Sequence, residues 1–151
     1  MWAVGLVCFW GLIAIVGMLA TESSVHSWYK TIPKSDLTPS NEVFAPVWTV
    51  LYVCIGTAGW LLSQAAPGKG RRWALVAYFG QGIANGIWSP LFFYLRSPAW
   101  ACLDILILVA LLVITVQLSW RVSRLASVLL LPYLGWTLFA SYLNAIIVIK
   151  S

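Results

Sequence analysis

Five long apolar runs, separated by short polar intervals, set the pattern of the chain: Trp2–Thr21, Phe44–Ala66, Trp73–Leu95, Ala99–Trp120 and Leu125–Ile149. Each is nearly free of charge and long enough to cross a bilayer, which takes about 20 helical residues at about 1.5 Å apiece. The pattern predicts an all-α polytopic membrane protein: a five-transmembrane-helix bundle forming one domain over residues 1–151. Residues 22–43 form the one long polar interval, holding three of the four acidic residues together with Pro33 and Pro39. Ordered connections of this length often serve as lids or binding loops. The interval reads as a lid feeding into a helix with Pro46 in its first turn, where a missing N–H is harmless.

Polar and aromatic residues inside the spans gather on single faces. In the third span Gln81, Asn85, Trp88 and Phe92 fall at i, i+4, i+7 and i+11, one helical stripe. Amides are costly in hydrocarbon unless they meet partners or line a cavity. Gly82 and Gly86 form a GxxxG pair on a neighbouring face, which suits either packing within the chain or a homodimer interface. The second span aligns Trp48, Tyr52, Ile55 and Gly59, and the fifth aligns Tyr133, Trp136, Ala140 and Asn144. Counted inward from the membrane face that bears the lid, the amides and most of these tryptophans occupy the same half of the bilayer.

Trp2, Trp73, Trp100 and Trp120 lie at span ends, as in an interfacial aromatic belt. Trp10 and Trp60 receive no role. The first span, with Gly5, Gly11 and Gly17, is expected to pack through its small faces and to contribute no chemistry. Pro90 is expected to kink the third span. Together these features describe an aromatic pocket with sparse amides under a lid, suited to a flat hydrophobic small molecule.

Composition sharpens the class. The chain is 62% hydrophobic and 9% charged, against about 25% charge in soluble domains. The net charge of +5 sits at span ends, with Lys69, Arg71 and Arg72 in one loop and Arg121 and Arg124 in another. These are membrane-flanking anchors, so no nucleic-acid partner is expected. Five basic residues on the N-terminal face against Lys30, Lys34, Arg96 and Lys150 on the other favour a cytoplasmic N-terminus. The first run is too long for a signal-peptide core and nothing basic precedes it, so no cleaved signal is expected.

Cys8, Cys54 and Cys102 lie in different spans and read as packing residues rather than a disulfide or metal set. Asp104 is the only acid within a span. It is expected to reach the interface, to pair with Arg96 or to sit at the helix N-terminus, in a structural or a catalytic role. His26 is the only histidine and has no evident partner. No nucleophile–base pair, phosphate loop or metal cluster is present, so neither a metal nor a required cofactor is expected.

Three stretches together resemble the translocator protein family, whose bacterial members are the tryptophan-rich sensory proteins. They are W-Y-x-x-(L/I)-x-K…P…F-x-P-V-W-x-x-L-Y (Trp28 to Tyr52), G-Q-x-x-x-N-x-x-W-x-P-x-F-F (Gly80 to Phe93) and L-x-P-Y-L-x-W-x-x-F-A-x-x-L-N (Leu130 to Asn144). They cover nearly the whole chain in the family's order. The resemblance implies a five-helix bundle, often homodimeric, in a bacterial membrane, binding porphyrins such as protoporphyrin IX and haem as ligands. It carries the family's cavity positions onto Tyr29, Pro39, Trp48, Gln81, Asn85, Trp88, Trp136 and Ala140. Trp48 and Trp136 match tryptophans implicated in light-dependent porphyrin breakdown, which makes them the candidate catalytic residues.

The chain departs from the family at Ser35, Leu37 and Glu42, which make the lid less aromatic. The sterol-recognition pattern is absent as written, because the first basic residue after Tyr142 is Lys150, and a sterol is the less expected ligand. Three functions compete: a tetrapyrrole receptor, sensor or carrier; an enzyme oxidising bound porphyrin through indole chemistry; and a small transporter with a helix broken at Pro90 or Pro132. The last lacks the charged relay and internal repeat seen in many transporters.

Overall fold

A computed structural model describes residues 2–151, and every regular element among them is helical. In chain order these are α1 (Trp2–Glu22), a single turn α2 (Trp28–Thr31), α3 (Asn41–Gln64), α4 (Lys69–Ser89), a π-helical turn (Pro90–Tyr94), α5 (Pro98–Val122) and α6 (Arg124–Lys150). Four of the long helices, α1, α3, α5 and α6, are long and apolar enough to cross a membrane. The third predicted run departs from that description. Its helix starts earlier, at Lys69, and so takes in Lys69, Arg71 and Arg72, and its regular part ends at Ser89.

The bundle packs as antiparallel neighbours, with α4 against α5 and α5 against α6 as the most extensive pairs. Ser123 alone joins α5 to α6. It closes α5 by donating its N–H to the Ser119 carbonyl at 2.7 Å, and its hydroxyl accepts from the Ala126 N–H at 3.3 Å to cap α6. Side-chain oxygens at helix starts satisfy donors that have no intrahelical partner. α3 starts three residues before the predicted bound, so Pro46 lies in the second turn rather than the first.

Pro90 has no N–H to return to the preceding turn, and the helix widens there into a π-helical turn. The Leu95 N–H bonds the Pro90 carbonyl at 2.9 Å and the Ser97 N–H bonds the Leu91 carbonyl at 3.0 Å. Arg96 then takes a left-handed φ of 51°, the conformation that commonly ends a helix. Widening lets two consecutive rings, Phe92 and Phe93, both be buried.

α1 joins the bundle in a way opposite to expectation. Gly5 and Gly11 face open space, so its glycines, Gly17 aside, do not make the contact. Its large residues fill the glycine face of α4 instead. A Cβ on Gly82 would lie 2.6 Å from Phe9 and 3.1 Å from Trp10, and one on Gly86 would lie 3.3 Å from Ile13. Gly82 and Gly86, which were candidates for a dimer interface, are thus occupied within the chain. The Trp10 indole N–H donates to the Tyr78 hydroxyl at 2.6 Å, and that hydroxyl donates to the Ile55 carbonyl at 2.8 Å. This chain of bonds ties α1, α4 and α3 together, and it closes only because Gly59 has no side chain where the Tyr78 ring lies. Gly82→Leu is expected to force α1 off α4 at a cost of about 1–3 kcal/mol, the range for overpacking a filled interior. Thermal unfolding in detergent measures it.

Candidate functional site

A cavity of about 450 Å³ lies in the half of the bundle nearest the α1–α3 connection. Every long helix contributes: Ile13 to Glu22 from α1, Asn41 to Tyr52 from α3, the last turns of α4, Ile105 and Leu108 from α5, and Trp136 to Ile147 from α6. Trp48, Asn85, Trp88, Phe92, Trp136, Ala140 and Asn144 all line it, as the helical stripes predicted. Tyr29 lines it from the connection.

Aromatic rings set its shape. Trp88 stacks on Phe92 with centroids 4.9 Å apart and planes 18° from parallel. Trp48 lies 5.3 Å from Tyr52 and 6.2 Å from Tyr133, and Phe44 meets Trp136 edge-on at 5.7 Å. Such offset and T-shaped pairs are the favoured aromatic geometries. They hold the indoles as wall surfaces.

Of the three amides that line the cavity, Asn41 is exposed at the start of α3, and the other two play different parts. The Trp88 indole N–H donates to Asn144 Oδ1 at 3.1 Å, and Asn144 Nδ2 donates to the Pro98 carbonyl at 2.8 Å. Asn144 is therefore a brace joining α4, α5 and α6, and its bonds are spent within the protein. Asn85 Nδ2 donates to the Tyr133 hydroxyl at 2.9 Å. Its Oδ1 accepts no bond from the described residues.

Two predicted residues lie elsewhere. Gln81 is fully buried one turn below Asn85, outside the cavity, with Nε2 bonded to the Tyr78 carbonyl at 2.9 Å and Oε1 without a partner. Pro39 is half-buried in the connection and does not reach the lining. Asp104 also stands apart: it makes no ion pair with Arg96 among the described residues, and its Oδ2 is buried without a hydrogen bond. It sits six residues into α5, beyond the first turn on which the helix dipole acts.

The connection is a tethered cover. The Ser24 hydroxyl donates to the Phe93 carbonyl at 2.7 Å, and Tyr29 packs edge-on against Phe92 and Phe93 with centroids 6.0 and 5.4 Å apart. Burial pushes the Tyr29 phenol above its ordinary pKa. Lys34 sits 4.6 Å over the Tyr29 ring and donates to the Tyr29 carbonyl at 2.5 Å. Lys150 at the end of α6 donates to the Lys34 carbonyl at 3.0 Å. Only Val25, His26 and Tyr29 of residues 23–40 line the cavity. Leu37 and Glu42 are exposed and outside it, so the loss of aromatic character there leaves the walls unchanged.

The wall that sequence reasoning missed is α1, which places Ile13, Gly17 and Thr21 on the cavity. A helix without polar residues before Thr21 displays no face by periodicity.

Comparison with known proteins agrees with this architecture. The profile of the TspO/MBR family matches residues 3–149. The chain is 39% identical to the tryptophan-rich protein TspO of Archaeoglobus fulgidus over 87% of its own length and 85% of the relative's. It is 35% identical to the tryptophan-rich protein TspO of Chlorobaculum tepidum, over 87% and 84% of the two chains. With the translocator protein of Bos taurus it shares 32% identity over 94% of this chain and 85% of the other.

Proposed function

The chain belongs to the TspO/MBR family of integral membrane proteins, and from that premise we propose that it is a membrane receptor or carrier for tetrapyrroles, held in the cavity beneath the tethered connection. The observation that carries this reading is the convergence of Trp48, Trp88 and Trp136 on one cavity with few polar atoms. Flat indole faces favour a large planar ligand, and a mostly apolar wall with a few placed polar groups is the general form of a small-molecule site. Asn85 Oδ1 would accept a hydrogen bond from a donor on that ligand.

The same reading makes α4 a membrane span, giving five in all. Its three charges fall within its first four residues, and its amides Gln81 and Asn85 are turned into the protein at 0% and 8% exposure. Lipid would then meet little but apolar side chains.

Titration of the purified protein with protoporphyrin IX in the dark, followed by quenching of indole fluorescence, tests the reading. Saturable binding is expected, and its absence would overturn it. Asn85→Leu is expected to weaken binding about tenfold, the loss of about 1.4 kcal/mol. That change also leaves the buried Tyr133 hydroxyl without its partner, which costs stability. The double change Asn85→Leu, Tyr133→Phe removes both polar groups and is expected to recover the fold while binding stays weak.

A second reading, light-driven oxidation of the bound porphyrin, is favoured by one observation: Trp48 and Trp136 both line the same cavity. An oxidisable indole would then lie within reach of an excited ligand.

A further inference from the structure

A second hollow lies between α1 and α3 in the opposite half of the bundle, with a volume of about 350 Å³. It is lined by Leu6, Trp10, Tyr52, Gly56, Thr57 and Trp60, among others. Its rim is turned outward, since Val7 is 73% and Trp60 47% exposed. The hollow exists because Gly56 has no side chain and nothing stands within 4 Å of where a Cβ would be. The Thr57 hydroxyl is already bonded to the Val53 carbonyl at 2.8 Å. The lining is thus mainly apolar, its remaining polar groups being the Tyr52 hydroxyl and the Trp60 indole N–H. From Ala3 to Trp10 it follows seven residues of α1, about 10 Å, within the roughly 15 Å of hydrocarbon that one leaflet provides.

Its mouth is charged with one sign. Lys69, Arg71, Arg72, Arg121 and Arg124 lie at this end of the bundle, while Glu22, Asp36 and Glu42 lie at the other and Asp104 is in the other half of α5. Arg71 is held beside the mouth: its guanidinium lies 5.9 Å from the Trp2 ring and donates to the Ala65 carbonyl at 3.0 Å. A guanidinium has five donors, so most remain for an anion at the level of the lipid headgroups.

We infer that this groove is a binding site for one anionic phospholipid, with an acyl chain against Gly56 and Trp10 and the phosphate on Arg71 and Arg72. The apolar groove selects the tail and the unbalanced basic end selects the headgroup. Tyr52 lines this groove and the lid-side cavity alike, so the lipid would rest against one wall of the other site.

Native mass spectrometry of the full chain, released from detergent with phosphatidylglycerol or phosphatidylcholine added, tests the inference. A retained phosphatidylglycerol adduct is expected, with about a tenfold preference over phosphatidylcholine, as basic residues near a membrane surface provide. Gly56→Phe should fill the groove and remove the adduct. The surface change Arg71→Gln, Arg72→Gln, which leaves the core untouched, should abolish the preference even if Gly56→Phe fails to fold. Equal retention of the two lipids, or a preference that survives loss of both arginines, would overturn the proposal. So would crosslinking that finds a second copy of the chain seated on Gly56 and Trp60.

Discussion

Ala140→Phe is expected to weaken porphyrin binding at least about 100-fold, equivalent to about 2.7 kcal/mol, in a protein that still folds. Ala140 lies on α6 one turn beyond Trp136 and lines the cavity without making a side-chain hydrogen bond. A benzyl group there would project into a space of about 450 Å³ and take the place of the ligand. The Asn85–Tyr133 bond and the Trp88–Asn144–Pro98 brace would not be touched. Overpacking is destabilising in a filled core, but here the added group enters an open volume. Fluorescence titration gives the affinity and thermal unfolding in detergent gives the stability. Undiminished binding in the folded variant would place the porphyrin somewhere other than this cavity.

How far the site could be read from the chain depended on whether a helix advertises its face. On α3, α4 and α6 tryptophans and amides recur with the helical period, so Trp48, Asn85, Trp88, Trp136 and Asn144 could be grouped in advance. α1 is apolar throughout, and such a helix has no stripe to orient it. Its contribution to the cavity follows only from the seating of Phe9, Trp10 and Ile13 on the glycines of α4. The GxxxG pair itself could not say whether its partner was another copy or a helix of the same chain. Trp10, left without a role by the sequence, proves to be the donor that links α1 to Tyr78.

Periodicity also says nothing about where a cavity ends. Gln81 shares the stripe of Asn85, yet the open volume stops above it. Asn144 shares a stripe with Trp136 and does reach the cavity, but its role as a brace depends on the Pro98 carbonyl, 46 residues away in sequence. The helical regions themselves were legible because the bilayer imposes a length on them. The bounds that shifted most are those at Asn41, Lys69 and Ser89, where polar residues or proline blur the edge of an apolar run.

The double change Trp48→Phe, Trp136→Phe is expected to keep most of the porphyrin affinity, and it separates a receptor from an enzyme. Both readings require a bound porphyrin, so affinity alone cannot distinguish them. Phenylalanine retains a flat apolar face at each position but has no readily oxidised indole. Phe44 and Tyr52, which pack on these indoles, would still line the cavity. If the protein is a receptor, illumination of the wild-type complex yields nothing beyond the bleaching of free porphyrin, and the variant shows at most a change in affinity. If the cavity performs indole photochemistry, the wild type forms a new absorbing product and the variant, still loaded with porphyrin, does not. Absorption spectra recorded under illumination, at concentrations that saturate both proteins, decide the matter. Product formed equally by the two would exclude Trp48 and Trp136 as the oxidised groups. We expect no product, because the cavity is walled mainly by stacking surfaces with a few polar side chains, a set sufficient for holding a planar ligand.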